Sequence, residues 1–138
     1  KDIVMNKLAV STLEGGTSVY DLRTFHPEEG FAGKSFKVSD GTVWGSYFLP
    51  QNRELFAIAG GSGNVGIYKY KYPAARHIKD ADNVLKGVPG EIELLNEQVV
   101  AQQPIMGFDW HPDSNGLACV ASLDQAVRVI MTTRLNVQ

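Results

Sequence analysis

Apolar and polar residues alternate in short runs broken by Gly, Pro, Asn and Asp, a period of two that predicts strands and turns. The clearest stretch runs from Pro104 to Met131. There an apolar run ends in Trp110, the turn His111-Pro112-Asp113 follows, and a small-residue run from Leu117 to Ser122 makes a second strand. A tight turn at Asp124-Gln125 leads into the alternating strand Val127-Val129. Three short strands joined by two turns are expected here.

The unit recurs. Thr42 to Phe48 repeats the pattern of Pro104 to Trp110, Pro50-Gln51-Asn52 that of Pro112-Asp113-Ser114, and Val65-Ile67 that of Val127-Val129. An incomplete third copy opens with a middle strand, Lys7 to Thr12, and continues into Val19 to Leu22. Tyr20, Tyr68 and Ile130 hold the same place in the three copies, 48 and 62 residues apart. Each gap therefore holds an outer strand, Phe31 to Val38 or Ile92 to Val100, together with extra loop. Arg23 to Gly30 reads as a polar turn region, and Ser39-Asp40-Gly41 as the return to the next copy. Residues 71–90 are polar and charged and end in Val88-Pro89-Gly90. They predict a long loop, either solvated and mobile or a partner-docking element.

Four strands per period of about 40–45 residues is the pattern of WD-repeat β-propeller blades. The predicted fold is all-β: a partial WD-repeat β-propeller of about two and a half to three antiparallel four-stranded blades. Its parts are a partial repeat (residues 1–38), a second repeat (39–100) carrying the 71–90 loop, and a last repeat (101–138). Closed propellers have about four to eight blades, so roughly ten strands do not close a ring. The chain is read as the C-terminal part of a longer propeller, with exposed blade edges through which it self-associates.

Composition narrows the picture without redirecting it. The 138 residues are 43% hydrophobic and 20% charged, ordinary for a globular protein. Thirteen basic residues against fifteen acidic give a net charge of -2, with no basic run, so nucleic acid is not an expected partner. The single cysteine, Cys119, cannot form an internal disulfide and is read as a buried small hydrophobe. No apolar run reaches the ~20 residues that cross a bilayer, and Lys1-Asp2-Ile3 does not resemble a signal peptide. The expected setting is cytoplasmic, with no membrane partner.

Candidate chemistry is thin. Gly61-Ser62-Gly63-Asn64-Val65-Gly66 matches the glycine fingerprint of dinucleotide sites and follows a strand. That fingerprint needs a helix directly after it, whereas Val65 to Tyr70 alternates as a strand, so the glycines are assigned to a hairpin turn. A kinase glycine loop is excluded because the other kinase motifs are missing. His111 is assigned to its turn with Pro112 and Asp113. His26 and His77 fall in separate loops without metal-ligand spacing, so no metal is expected. Ser11, Ser46 and Ser122 lie on strands without a paired base, so no catalytic residue, cofactor or enzyme activity is expected. Trp44 and Trp110 could be interface anchors, but alternation places Trp44 with Ser46 and Phe48, and Trp110 with Met106 and Phe108, on apolar strand faces, so they are read as core. Asp124 matches the aspartate that ties a WD blade together, although Gln102-Gln103 and Ile130 replace its usual partners.

Particular strings carry a closer resemblance: KDIVMNKLAVSTLEG (Lys1 to Gly15), VYDLRTFHP (Val19 to Pro27), LPQNRELF (Leu49 to Phe56), QPIMGFDWHPD (Gln103 to Asp113) and SLDQAVRV (Ser122 to Val129). They resemble the C-terminal part of the Monad-type WD-repeat proteins. That resemblance implies a non-enzymatic cytosolic adaptor of the prefoldin-like co-chaperone complex with RuvB-like ATPases, acting in axonemal dynein assembly, with dynein chains among its clients. It implies no particular binding residues. The alternative is a generic WD-repeat adaptor of another pathway, such as a substrate receptor for ubiquitin ligation.

Overall fold

The alternating runs fold as antiparallel β-sheets in a computed structural model that describes residues 4–38 and 41–137. The first sheet is β1 (Lys7–Ser11), β2 (Gly16–His26) and β3 (Gly30–Lys37), paired in that order. The second takes β4 (Val43–Leu49), β5 (Asn52–Gly60) and β6 (Asn64–Lys71). A two-stranded ribbon of β7 (His77–Lys79) and β8 (Leu85–Gly87) interrupts it, and β9 (Glu91–Val99) then pairs with β6 as its fourth strand. The third is β10 (Ile105–Trp110), β11 (Leu117–Ser122) and β12 (Val127–Met131), followed by a 3-10 turn at Leu135–Val137. The protein is all-β with antiparallel pairing throughout, as the alternation predicts. Ser39 and Asp40, expected to lead the chain into the next repeat, lie outside the described residues.

The second sheet is packed on both sides. Its inner strand β5 sends Phe56 and Ile58, with Tyr68 and Tyr70 of β6, toward the first sheet, where Val19 and Phe36 meet them. Leu55, Ala57 and Ala59 alternate to the other side and meet Ile105, Phe108, Trp110, Ala118 and Val120 of the third sheet. Small residues suit that side because Phe108 and Trp110 fill the space, packed edge to face with ring centroids 5.1 Å apart. Trp110 Nε1 donates to the Tyr47 carbonyl at 2.9 Å, which satisfies the indole and ties β10 to β4.

Two sequence expectations shift. β2 does not stop at Leu22. It bulges where the Asp21 carboxylate accepts from the Arg23 amide at 3.0 Å and the Thr24 hydroxyl at 3.0 Å, and pairing resumes at Phe25 with Phe31. Only the residues between His26 and Gly30 turn. Residues 71–90, expected as a long loop, contain the β7–β8 ribbon. The Asp80 carboxylate accepts from the Asp82 and Val84 amides at 3.0 and 2.9 Å, and Asn83 adopts a left-handed φ of 59°, so the tip is a built turn. The ribbon rests on β2 through Gly87, where an added Cβ would come within 2.4 Å of the Phe25 carbonyl oxygen.

Candidate functional site

The hairpin registers place the three copies in correspondence. The pairs Ser11 with Thr17, Ala59 with Val65, and Ala121 with Val127 close connections at residues 12–16, 60–64 and 122–126. The fourth residue of each, Gly15, Gly63 or Gln125, is left-handed at φ 85°, 83° or 65°. The second and third sheets share a further contact: Gly61 donates to the Thr42 carbonyl at 2.7 Å and Leu123 to the Pro104 carbonyl at 3.0 Å. The Gly61 to Gly66 segment is thus a hairpin turn running into β6, with no helix after it.

This correspondence defines the candidate interaction surfaces. Val19, Ile67 and Val129 are equivalent residues. Val19 faces the second sheet and is 0% exposed, Ile67 faces the third and is 5% exposed, and Val129 is 72% exposed. On the opposite side Leu8, Phe56 and Ala118 are equivalent, and there it is Leu8 of the first sheet that is open while the other two are buried. The sheets therefore stack head to tail. Each outer sheet presents to solvent the type of face that its neighbours bury, with Leu8 and Val10 at one end and Val127, Val129 and Met131 at the other. Exposed apolar patches of this kind mark interaction sites.

Three residues expected on core faces are exposed instead. Cys119 is exposed, because it projects with Val129 from the open face of the third sheet. Trp44 is 44% exposed although alternation from Phe48 places it inside. A register shift between Val43 and Gly45 makes Trp44 the extra residue of a β-bulge, so the phase is lost there. Met106, grouped with Trp110 by the same alternation, is displaced by an identical shift between Ile105 and Gly107. Trp110 keeps its expected place in the core.

Other candidates resolve into turn chemistry. His111 Nδ1 accepts from the Asp113 and Ser114 amides at 3.1 and 3.0 Å. His26 Nδ1 accepts from the Glu28 and Glu29 amides at 3.3 and 3.1 Å. Both rings cap a His-Pro turn, a repeated dipeptide whose shared role the sequence reading missed. Asp124 accepts from Arg128 at 2.6 Å, the Ala126 amide at 3.1 Å and the Ser122 hydroxyl. The Arg128 bond is the main reason that its carboxyl lies well below the usual range, with Ser122 next, while partial desolvation opposes them. Its bonds to Ser122, Ala126 and Arg128 all lie within the third-sheet hairpin. Ser11 and Ser46 Oγ share a hydrogen bond at 2.5 Å between β1 and β4. Among the described residues no group of three or more His, Cys, Asp and Glu could hold a metal. No helix among them is long and apolar enough to cross a membrane.

No protein-family model matches the chain. It is 51% identical over 137 residues, 99% of its length, to dynein axonemal assembly factor 10 of Chlamydomonas reinhardtii. It is 48% identical over 136 residues to the human protein of the same name and 23% identical over 95 residues to that of Dictyostelium discoideum. The chain spans 38% of the length of the algal and human relatives.

Proposed function

We propose that this chain forms blades of a WD-repeat β-propeller that acts as a non-enzymatic scaffold in the assembly of axonemal dynein. The observation that carries this reading is the identity of about half across 99% of the chain to dynein axonemal assembly factor 10 proteins. The fold supports it, because three antiparallel sheets built on one repeated hairpin and stacked head to tail are what neighbouring blades require. In this reading the protein works in the cytoplasm, beside RuvB-like ATPases and prefoldin-like subunits that do the chemistry, and dynein chains are the clients. A pull-down with the tagged chain from cells building cilia is expected to recover those ATPases or dynein chains. Recovery of ubiquitin-ligase subunits in their place would overturn the proposal and favour the alternative adaptor.

The open faces take another sheet of the same repeat. In a longer propeller that sheet is a neighbouring blade; for the isolated chain it is a second copy, docked head to tail, since the two open faces differ in type. Light scattering at two protein concentrations is expected to show a mass that rises with concentration. A stable monomer at both concentrations would contradict the head-to-tail reading.

A further inference from the structure

Away from the open faces, basic and aromatic side chains converge where β1 begins and β6 ends. Lys7 is the first residue of β1, yet its ammonium is buried. It donates to Asn6 Oδ1 at 2.9 Å, the Arg53 carbonyl at 3.4 Å and the Tyr72 hydroxyl at 2.5 Å. It also lies 5.0 and 4.5 Å from the ring centroids of Tyr70 and Tyr72, positions that favour a cation. An ammonium has three donors and all three are engaged. Lys7 is thus a fixed positive charge beneath the surface.

Above it lies a cavity of about 300 Å³ lined by Arg23, Arg53, Tyr72, Pro73, Ala74 and Arg76. No carboxylate among the described residues lines it. Among the described residues, the carboxylate ion-paired with this group is Asp21, which is buried, 3.8 Å from Arg23 Nε, and already bonded to the Arg23 amide and the Thr24 hydroxyl. Among the described residues four cations therefore gather here with one ion-paired anion. The Tyr72 phenol reflects the surrounding charge: burial pushes it up, but the hydrogen bond from Lys7 and the charges of Lys7 and Arg23 leave it below the usual phenol range.

We infer that this cavity receives carboxylates from an acidic segment of a partner protein. Guanidinium groups present planar forks that match carboxylates with two parallel hydrogen bonds. Here three of them come from separate parts of the chain, β2, β5 and the β6–β7 connection, around a volume larger than one carboxylate. That arrangement suits an extended acidic stretch better than a single small anion. Lys7 is a positioning residue: it holds Tyr72 and the Arg53 backbone and adds charge without touching the ligand.

The test is fluorescence anisotropy of a labelled Glu-rich decapeptide with the 138-residue chain and its variants. Arg53→Gln with Arg76→Gln is expected to weaken binding by roughly ten-fold or more at low salt. A control pair, Lys34→Gln with Lys71→Gln, removes the same charge from exposed ion pairs with Glu91 and Glu93 and is expected to change it by less than about two-fold. Thermal unfolding of each variant shows that it is folded. If the glutamine pair unfolds, Arg53→Lys with Arg76→Lys keeps the charge, loses the forks and is expected to bind at an intermediate level. No binding by the unaltered chain, equal weakening by both pairs, or tighter binding of an otherwise neutral peptide bearing one phosphoserine would overturn the inference.

Discussion

Ile67 and Val129 occupy the same place in two copies of one hairpin, yet one is in the core and the other is in water. The difference lies outside the hairpins. The second sheet has a neighbour on each side and buries both faces of β5, whereas the first and third sheets each bury one face only. Local pattern thus sets which way a side chain points, and the number of neighbouring sheets sets whether that direction is inside. Equivalent apolar positions are in the core in one copy and open to solvent in the next.

The most severe test of this contrast pairs Phe56 with its equivalent Leu8. Phe56 is fully buried against Phe48 and Tyr68, with ring centroids 5.4 and 5.6 Å away. Phe56→Ala is expected to cost about 3–5 kcal/mol in chemical denaturation. Leu8→Ala, at a dilution where the chain is monomeric, is expected to stay within about 0.5 kcal/mol. A large cost for Leu8→Ala would mean that the open face of the first sheet is covered in solution, and the contrast would fail.

The tryptophans sharpen it further. Trp110→Phe leaves the Tyr47 carbonyl without its indole donor and opens space beside Phe108, so a loss of about 1–3 kcal/mol is expected. Trp44→Phe, on the bulge, is expected to change stability by no more than about 0.5 kcal/mol. Equal losses would show that the bulge does not turn Trp44 outward. A smaller effect of opposite sign is expected at the hairpin tips. Gln125 takes the left-handed conformation that its equivalents Gly15 and Gly63 take without a side chain, so Gln125→Gly is expected to stabilise the chain by up to about 1 kcal/mol. A destabilised variant would mean that the side chain of Gln125 makes a contact worth more than the strain.

These residues also show how far the sequence could be read. Alternation located the strands of all three sheets, and the correspondence of Tyr20, Tyr68 and Ile130 agrees with the observed registers. It failed at Trp44 and Met106, because one inserted residue reverses the phase and no composition cue distinguishes it from an ordinary strand residue. Residue type misplaced Cys119, because exposure there depends on a neighbouring sheet, which a strand does not encode. The β7–β8 ribbon was partly legible: Asp80 and Asn83 are turn residues, but the strands beside them are only three residues long. The arginine cavity was not legible at all, since Arg23, Arg53 and Arg76 are remote in sequence and meet only through the stacking of the first two sheets.

The mildest test compares hairpin tips by pH. Where the second hairpin has Ser62, the third has Asp124, whose carboxylate is held well below the usual range chiefly by Arg128, then by Ser122, with the Ala126 amide helping. In the unfolded chain that carboxyl titrates near pH 4. Between the two values the unfolded state binds the extra proton, so stability rises with pH across that window. The contribution of Asp124 is complete above about pH 4 and is lost progressively as the pH falls from there toward the depressed folded value. Asp124→Asn removes the titration, so the change in denaturation midpoint between neutral and acid solution is expected to shrink, whereas Ser62→Ala is expected to leave it unaltered. Both variants keeping the full acid sensitivity would show that the Asp124 and Arg128 pair does not hold the third hairpin in solution. A loss confined to Asp124→Asn would show that this hairpin, open on one side, relies on a charged tie at a place where the enclosed one has the neutral Ser62.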